Sequence, residues 1–243
     1  MPVHFGFWDI TLVLAVSTQA TVLAYLRQPR LKAFAYVLPF PFTLATLAMG
    51  RPVDATNVVA MIPLFLYIQG VRLLYRARLP IVVAIAVSAL GYTAVGWAIA
   101  PLISKTDTAF WLVCALVLAL ALALYLGLPH RDEPDHRTTL PVYVKMPIIA
   151  AVIVALIAIK NSLQGFMTLF PMVGVVAAYE ARYSLWTVGR SLTAWMVAMI
   201  PMMAVLRLAQ GELGLGLALV LGWAAFLSVL LPLTRSQWVN TRK

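Results

Sequence analysis

Charged side chains are scarce in this chain, so the few that lie near apolar segments are the first candidates for chemistry. Glu180 and Arg182 follow one apolar segment, and Arg190 lies about two turns into the next. Charges near a bilayer are costly and usually face protein or water. We predict that Glu180 couples to a proton or a substrate and that Arg182 and Arg190 bind an anionic group, such as a lipid phosphate or a carboxylate. The alternatives are a solvated turn for Glu180 and Arg182, and a snorkelling side chain for Arg190.

Two further polar clusters follow apolar segments on what we predict to be the other side of the membrane. The first holds Lys160, Asn161 and Gln164, and the second holds Asp54 and Asn57. These side chains are candidates for the lining of a solute entrance. Ordinary loop residues would look the same in sequence, so both interpretations stay open.

Enzyme motifs are missing from the sequence. It has no G-x-x-x-x-G-K-[ST], H-E-x-x-H or G-x-S-x-G motif. The loop from His130 to His136 combines two histidines with three acids, a set that can bind metal, but its arginines favour a solvated connector. We therefore expect no catalytic residue, no metal, no cofactor and no enzymatic activity. A lipid-modifying enzyme is the third-ranked possibility, since only Glu180 and Arg182 are available to serve it.

The composition identifies the environment in which these residues act. Of 243 residues, 63% are hydrophobic and 11% are charged, whereas soluble domains are near half apolar and a quarter charged. This excludes a soluble globular domain and a disordered chain. The net charge of +10 is more typical of the cytoplasmic loops of a membrane protein than of nucleic-acid binding. The fold class is therefore all-α, a polytopic transmembrane bundle whose direct partner is the lipid bilayer.

Nine apolar runs have about the 20 residues that a helix needs to cross a bilayer. Their approximate bounds are 8–27, 32–50, 55–75, 80–103, 108–128, 142–160, 165–180, 184–207 and 212–234. With the N-terminus outside, only Arg51, Lys105, Lys160 and Arg207 of the 18 basic residues lie outside. Basic residues collect in cytoplasmic loops. The sequence therefore predicts an external N-terminus and a cytoplasmic C-terminus.

Two stretches, 31–42 and 161–172, resemble each other and predict an internal repeat. Each enters a span and meets Phe-Pro about ten residues later, and each following span carries Val-Ala-Met-Ile-Pro, at 59–63 and 197–201. Equivalent spans would be separated by five, so the two halves would have opposite orientations in the membrane. The predicted units are a four-helix repeat at 1–104, a connector helix and cytoplasmic loop at 105–140, and a second repeat at 141–243. This 4+1+4 inverted repeat is common among secondary transporters.

Prolines within the predicted spans two and seven mark the expected centre of the molecule. Pro41, with Pro39 before it, lies near the middle of span two, and Pro171 and Gly174 lie in span seven. Proline removes a backbone donor, and the freed carbonyl groups need partners or a water-filled cavity. Breaks at matching positions of two halves point to a substrate site at the midplane. We therefore predict that substrate contacts polar groups near Thr43, Pro41, Pro171 and Gly174; a packing kink is the alternative.

The second half also carries a recognisable pattern, from about Gly165 to Leu233. Its components are Gly165-Phe166, Phe170-Pro171, Tyr179, Arg182, Arg190-Ser191 and Ile200-Pro201. In these the segment resembles the GlpM-like small inner-membrane proteins of bacteria, which are about half as long and have four predicted spans. The resemblance implies two such units fused through an extra helix, located in a bacterial inner membrane, and it implies no substrate. The first half departs from the pattern at Pro39 and at Asp54.

These observations favour a transporter that moves a small or amphiphilic solute, anionic or lipid-linked, by alternating access. The main alternative is a non-catalytic scaffold or accessory subunit of a larger complex, which explains the scarcity of intramembrane charge equally well. A homo-oligomer or another membrane protein is the expected type of protein partner, and nucleic acid is not expected.

Overall fold

The computed structural model describes residues 7–134, 136, 141–157 and 164–239. Every regular element among these residues is a helix. The α-helices are α1 (Phe7–Tyr25), α2 (Pro29–Val37), α3 (Phe40–Met49), α4 (Ala55–Val59), α5 (Met61–Arg76), α6 (Ile81–Ile99), α7 (Asp107–Gly127), α8 (Val142–Ile157), α9 (Met172–Glu180), α10 (Leu185–Ala209) and α11 (Gly214–Val239). Two 3₁₀ helices are formed by Ala100–Leu102 and Gln164–Leu169.

In the described part of the chain, six helical segments are long and apolar enough to cross a membrane. They are Pro29–Met49, Ala55–Arg76, Ile81–Leu102, Asp107–Gly127, Leu185–Ala209 and Gly214–Ser236. Two apolar helices, Ile10–Tyr25 and Val142–Ala151, are shorter. These segments have the length and composition of a multi-pass helical membrane protein. The count of nine spans and the division into three units stay predictions.

The predicted spans two and seven are both interrupted at proline. Span two is divided into α2 and α3, which together run from Pro29 to Met49. Span seven is divided into the 3₁₀ helix Gln164–Leu169 and α9, which has 9 residues. At 1.5 Å per residue α9 is roughly 14 Å long, about half of a bilayer core. Because of this interruption, the seventh apolar run contains no helix that could cross a bilayer alone.

Local sequence signals explain where several helices begin and end. Gly50 adopts a positive φ of 59° and closes the C-terminus of α3, a conformation that glycine adopts without strain. Asp54 and Asn57 form a capping box at the start of α4. The hydroxyl of Thr106 accepts the amide of Ala109 in the first turn of α7.

The most buried of the six segments is α10, which packs against α2, α5, α7 and α11. Its C-terminal end is anchored by polar contacts. The amide of Val53 donates to Gln210 at 2.8 Å, and Arg207 donates to the Asp107 carboxylate at 2.9 Å. We call this end of the bundle the far end. At the opposite end the Arg72 and Arg131 guanidiniums lie 4.3 and 4.2 Å from the Trp186 ring centre, and we call it the basic end.

Candidate functional site

The two proline breaks share one local geometry. Pro39 precedes α3 with φ −82° and ψ 35°, and Pro171 precedes α9 with φ −72° and ψ 52°. In each break the amide after the proline donates to the carbonyl before it, at 2.9 Å across Pro39 and 2.6 Å across Pro171. This is close to an inverse γ-turn. Pro39 is therefore the geometric counterpart of Pro171, whereas the Phe-Pro match in the sequence pairs Pro171 with Pro41.

A small cavity lies where these breaks meet α5 and α10. Its lining residues are Tyr36, Val37, Leu38, Pro39, Pro41, Phe42, Leu64, Thr168, Leu169, Phe170, Pro171, Val173, Gly174, Leu192 and Trp195. We call this space the central cavity. It brings together Pro41, Pro171 and Gly174 of the predicted substrate residues.

The first turns of α3 and α9 both line the central cavity. In α3 the first amide with an i−4 hydrogen bond is that of Thr43, which donates to the Pro39 carbonyl at 3.0 Å. In α9 it is that of Val175, which donates to the Pro171 carbonyl at 2.8 Å. The amides before these two have no acceptor within the helix. Among the lining residues these are the amides of Phe42, Val173 and Gly174, while Pro41 has no N–H. The residues of the cavity wall thus include three that belong to the first turns of two helices.

Two tyrosines contact Gly174 beside these donors. A β-carbon built on Gly174 would lie 3.0 Å from the Tyr36 hydroxyl oxygen and 3.2 Å from Tyr67 Cε1. Tyr36 lines the cavity, and Tyr67 is 2% exposed. The Tyr67 hydroxyl has no hydrogen-bond partner among the described residues. Neither tyrosine could be selected from the sequence alone, because their position depends on the packing of α2 and α5 against α9.

On the far side of the cavity a buried hydrogen bond joins the two halves of the chain. Asn57 Nδ2, on α4, donates to the hydroxyl of Thr168 at 2.9 Å. Asn57 is itself held by the Asp54 amide, which donates to its Oδ1 at 2.8 Å. Thr168 also lines the cavity. Asn57, predicted as an entrance residue, thus contacts a residue of the cavity wall, and Asp54 contacts Asn57.

Towards the basic end a second buried contact joins the halves. Lys32 Nζ, on α2, donates to the carbonyl oxygen of Glu180 at the end of α9, at 3.0 Å. Both side chains are 1% exposed. Lys32 lies one helical turn before Tyr36 and so shares its face of α2. The sequence analysis counted Lys32 only among the basic residues of the loops. Its position seven residues before Pro39 could have indicated that it lies on the helix that leads to the break.

Arg182 lies outside the central cavity. Its side chain donates to the carbonyl oxygen of Tyr179 at 2.9 Å, and its guanidinium lies 5.0 and 4.8 Å from the ring centres of Tyr179 and Tyr183. The two rings are exposed. Arg182 is thus held at the surface after α9, close in sequence to Glu180 but not on the cavity wall.

Arg190 holds the connector that follows α7 and does not line the cavity. Its Nε donates to the Leu128 carbonyl at 3.3 Å. The Glu133 carboxylate of the same connector accepts the amides of Trp186 at 3.1 Å and Thr187 at 2.7 Å. These amides belong to the first turn of α10, where a negative charge is favourable. Glu133 therefore ties the connector to the first turn of α10, while residues 129–132 and 134 of the connector are exposed.

The remaining predicted residues are placed as follows. Thr43 donates to the Pro39 carbonyl at 2.9 Å and accepts Trp223 Nε1 at 2.8 Å, which joins α3 to α11. Gln164 is the first residue of the 3₁₀ helix that enters the second break. Lys160 and Asn161 lie outside the described residues.

No family model, no curated protein and no solved structure matches the chain. The resemblance to GlpM-like proteins accordingly stays a prediction, and function has to be argued from the geometry of the site.

Proposed function

We propose that the protein is a membrane transporter that moves a small solute through the central cavity by alternating access. The single observation that carries the proposal is the position of this cavity. It lies between two helices that are broken at prolines of equal geometry, and buried contacts between the two halves of the chain lie on both of its sides. Irregular backbone at membrane depth is tolerated where it lines a cavity, and such breaks form solute sites in secondary transporters.

An inverted 4+1+4 repeat is part of the proposal, and the packing partners of the helices support it. α3 packs against α11, and its counterpart α9 packs against α6, the counterpart of α11. α2 packs against α10, while the 3₁₀ helix Gln164–Leu169 packs against α4. Two further pairs of counterparts pack directly against each other: α1 against α8, and α5 against α10. The connector helix α7 contacts α4 and also α10, which belong to counterpart spans in the two halves. A two-fold relation between the halves produces this exchange of partners.

We further propose nine crossings, with an external N-terminus in a bacterial inner membrane. α1 and α8 would then be two of them. The 3₁₀ helix and α9 would form a third, in two pieces. The basic end, with Arg72, Arg131 and Arg190, would face the cytoplasm, as the distribution of basic residues favours.

The two buried contacts have the arrangement of gates. Lys32 to Glu180 joins α2 to α9 towards the basic end, and Asn57 to Thr168 joins α4 to the 3₁₀ helix on the far side. Breaking one contact while keeping the other would open the cavity to one side at a time. Alternating access requires such a pair of barriers around one site.

Solute flux into proteoliposomes tests the proposal. The purified protein is reconstituted, and uptake of small anions, neutral solutes, cations and labelled lipid is compared with protein-free vesicles. We expect saturable flux of at least one solute class, and we expect Gly174→Ala to reduce it because the new methyl group enters the crowded cavity wall. Gly91→Ala is the matched control, since nothing lies within 4 Å of a β-carbon there. Absence of flux for every class, or equal flux in both variants, would contradict transport through this cavity.

A further inference from the structure

We propose that Arg182, held between Tyr179 and Tyr183 at the basic end of the bundle, binds the phosphate of an anionic phospholipid, and that an acyl chain of this lipid lies along α9. The sequence analysis predicted an anionic group for Arg182 without placing it. In the structure the side chain lies at the surface and outside the central cavity, so its anion comes from the surrounding membrane. This lipid site does not depend on transport by the protein.

Neighbouring groups hold the Arg182 guanidinium in a fixed orientation. Its Nη1 donates to the Tyr179 carbonyl oxygen at 2.9 Å, at the end of α9. The ring centres of Tyr179 and Tyr183 lie 5.0 and 4.8 Å from its central carbon, which is within cation–π range. The Tyr183 ring is in turn packed edge-on against His136, with the ring centres 4.9 Å apart. Because the guanidinium is already ordered, binding an anion costs little additional side-chain entropy.

No carboxylate of the described residues forms an ion pair with Arg182. Glu180 is only two residues away, but its side chain is 1% exposed and belongs to the interior of the bundle. Arg182 is partly exposed and lies between two exposed rings. A guanidinium has five N–H groups, and those that do not contact Tyr179 are available to an acceptor outside the protein. Phosphate suits them, since two of its oxygens can accept parallel N–H groups of one arginine.

The distribution of charge favours an anionic lipid over a zwitterionic one. In the predicted topology four of the 18 basic and four of the 8 acidic residues lie on the far side: Arg51, Lys105, Lys160 and Arg207, with Asp9, Asp54, Asp107 and Glu212. The remaining 14 basic and 4 acidic residues lie at the basic end, so the whole net charge of +10 is located there. Anionic headgroups are attracted to such a surface.

An apolar edge leads from Arg182 towards the bilayer centre. α9 runs from the central cavity to the basic end, and Arg182 follows its last residue by two. Within α9 only Val175 and Tyr179 are not buried. They are one helical turn apart on the same edge, and tyrosine rings are typical of the headgroup region. Val175 therefore continues the site into the hydrocarbon region, where an acyl chain contacts it. A soluble phosphate compound lacks this second contact.

Native mass spectrometry of the purified full-length protein in detergent and ammonium acetate tests the proposal. The protein is titrated with phosphatidylglycerol, phosphatidylethanolamine or phosphatidylcholine of identical acyl chains, and the dissociation constant of the first bound lipid is measured. We expect phosphatidylglycerol to bind about fivefold more tightly than the two zwitterionic lipids, the attraction expected for one negative charge near one basic side chain. Equal affinity for the three lipids would overturn the proposal.

Variants locate the site. We expect Arg182→Gln to raise the dissociation constant of phosphatidylglycerol about tenfold, as for the loss of a hydrogen bond to a charged group. Arg182→Lys, the second variant in case Arg182→Gln does not fold, keeps the charge but loses the planar fork, so we expect it to recover only part of the affinity. Arg76→Gln is the control, because it removes the same charge from an exposed position at the same end. Unchanged affinity in both Arg182 variants, or an equal loss in the control, would contradict the proposal.

Competition distinguishes a lipid from a soluble phosphate compound. Ammonium phosphate and the ammonium salt of glycerol 3-phosphate are added at millimolar concentrations to the parent protein with bound phosphatidylglycerol, and ammonium acetate of equal ionic strength is the reference. We expect neither compound to displace more lipid than the reference does, because neither has an acyl chain to contact Val175. Greater displacement by either compound would show a site for soluble phosphates and overturn the assignment to a lipid.

Discussion

At the scale of single residues, Gly174 is a position where space is limited by rigid neighbours. A β-carbon there would lie 2.8 Å from Pro171 Cβ and 3.0 Å from the Tyr36 hydroxyl oxygen. The proline ring is rigid, and Tyr36 is buried. Neither neighbour moves easily in a close-packed interior. The absence of a side chain at Gly174 is therefore required by the packing of α2 against α9.

Gly174→Ala is expected to lower the free energy of unfolding by about 1–3 kcal/mol, the usual cost of overpacking. Gly91→Ala, in α6, is expected to be neutral or slightly stabilising, because a β-carbon there meets no atom within 4 Å and alanine favours helix over glycine. Denaturation of both purified variants in the same detergent measures the difference. Equal stability of the two variants would contradict the crowding at Gly174.

Glu133→Gln tests the docking of the connector on α10. The carboxylate accepts the Trp186 amide with one oxygen and the Thr187 amide with the other, so glutamine keeps only one of the two acceptors and also removes the negative charge at the helix N-terminus. We expect a loss of about 0.3–1 kcal/mol, and up to ~2 kcal/mol if the site is well shielded from water. Asp132→Asn is the control, because its carboxylate faces solvent beside His130. Thermal melts at low and high salt measure the effect; identical melting of both variants would show that Glu133 is not docked.

Sequence reasoning about single residues rests on local constraints. The prolines and Gly174 were selected from spacing alone, and they line the cavity. Arg182 and Arg190 were predicted to bind an anionic group; in the structure their side chains contact neighbouring aromatic rings and the connector, and the prediction of an anion stays a prediction. Spacing along the chain gives the depth of a residue in the membrane, but not the direction of its side chain around the bundle.

At the scale of elements, the two breaks are the features that position the site. Each proline leaves the next helix with amides that lack an acceptor, and both helices begin at the cavity. The breaks follow from proline chemistry and were predictable. The side chains that donate to carbonyl groups near the breaks were not predictable, because Gln19, Tyr92 and Lys32 come from other helices or other helical turns.

Pro171→Ala is expected to change amide hydrogen exchange in α9. In the parent protein the amides of Val173 and Gly174 lack an intrahelical acceptor, so we expect them to exchange faster than that of Ala177. Alanine at 171 lets the 3₁₀ helix continue into α9, and these amides should then slow by about two- to tenfold. Pro101→Ala, in the exposed 3₁₀ helix Ala100–Leu102, is the control. Unchanged exchange in Pro171→Ala, or protected amides in the parent protein, would contradict the open helix end.

At the scale of the whole molecule, the distribution of charge identifies the ends of the bundle but not the number of crossings. If α1 does not cross the membrane, only the residues before it change sides, and no Lys or Arg precedes Arg27. Removing the pair formed by α8 and the broken segment Gln164–Glu180 changes the side of Lys160 alone. Six and nine spans therefore separate the basic residues almost equally well. The charge distribution therefore does not decide between six and nine spans, and the orientation of the termini stays a prediction.

The location of the two chain termini tests the span number. Nine crossings place an N-terminal tag outside and a C-terminal tag inside, whereas six crossings place both inside. We expect the N-terminal tag to be accessible to protease in intact cells with the outer membrane permeabilised, and the C-terminal tag to be protected. A cysteine replacing Glu212 at the far end, in a Cys114→Ala background, serves as the external control. Both tags on one side would contradict the inverted 4+1+4 arrangement.

Solute passage through the central cavity is tested most directly by the accessibility of one cavity residue from both sides of the membrane. Leu64→Cys, in the Cys114→Ala background, places a thiol on the α5 wall of the central cavity. A membrane-impermeant maleimide is applied to right-side-out and to inside-out vesicles. Alternating access predicts that the thiol is labelled in both preparations and that a transported solute slows both reactions. Labelling from one side only, or from neither, would contradict it.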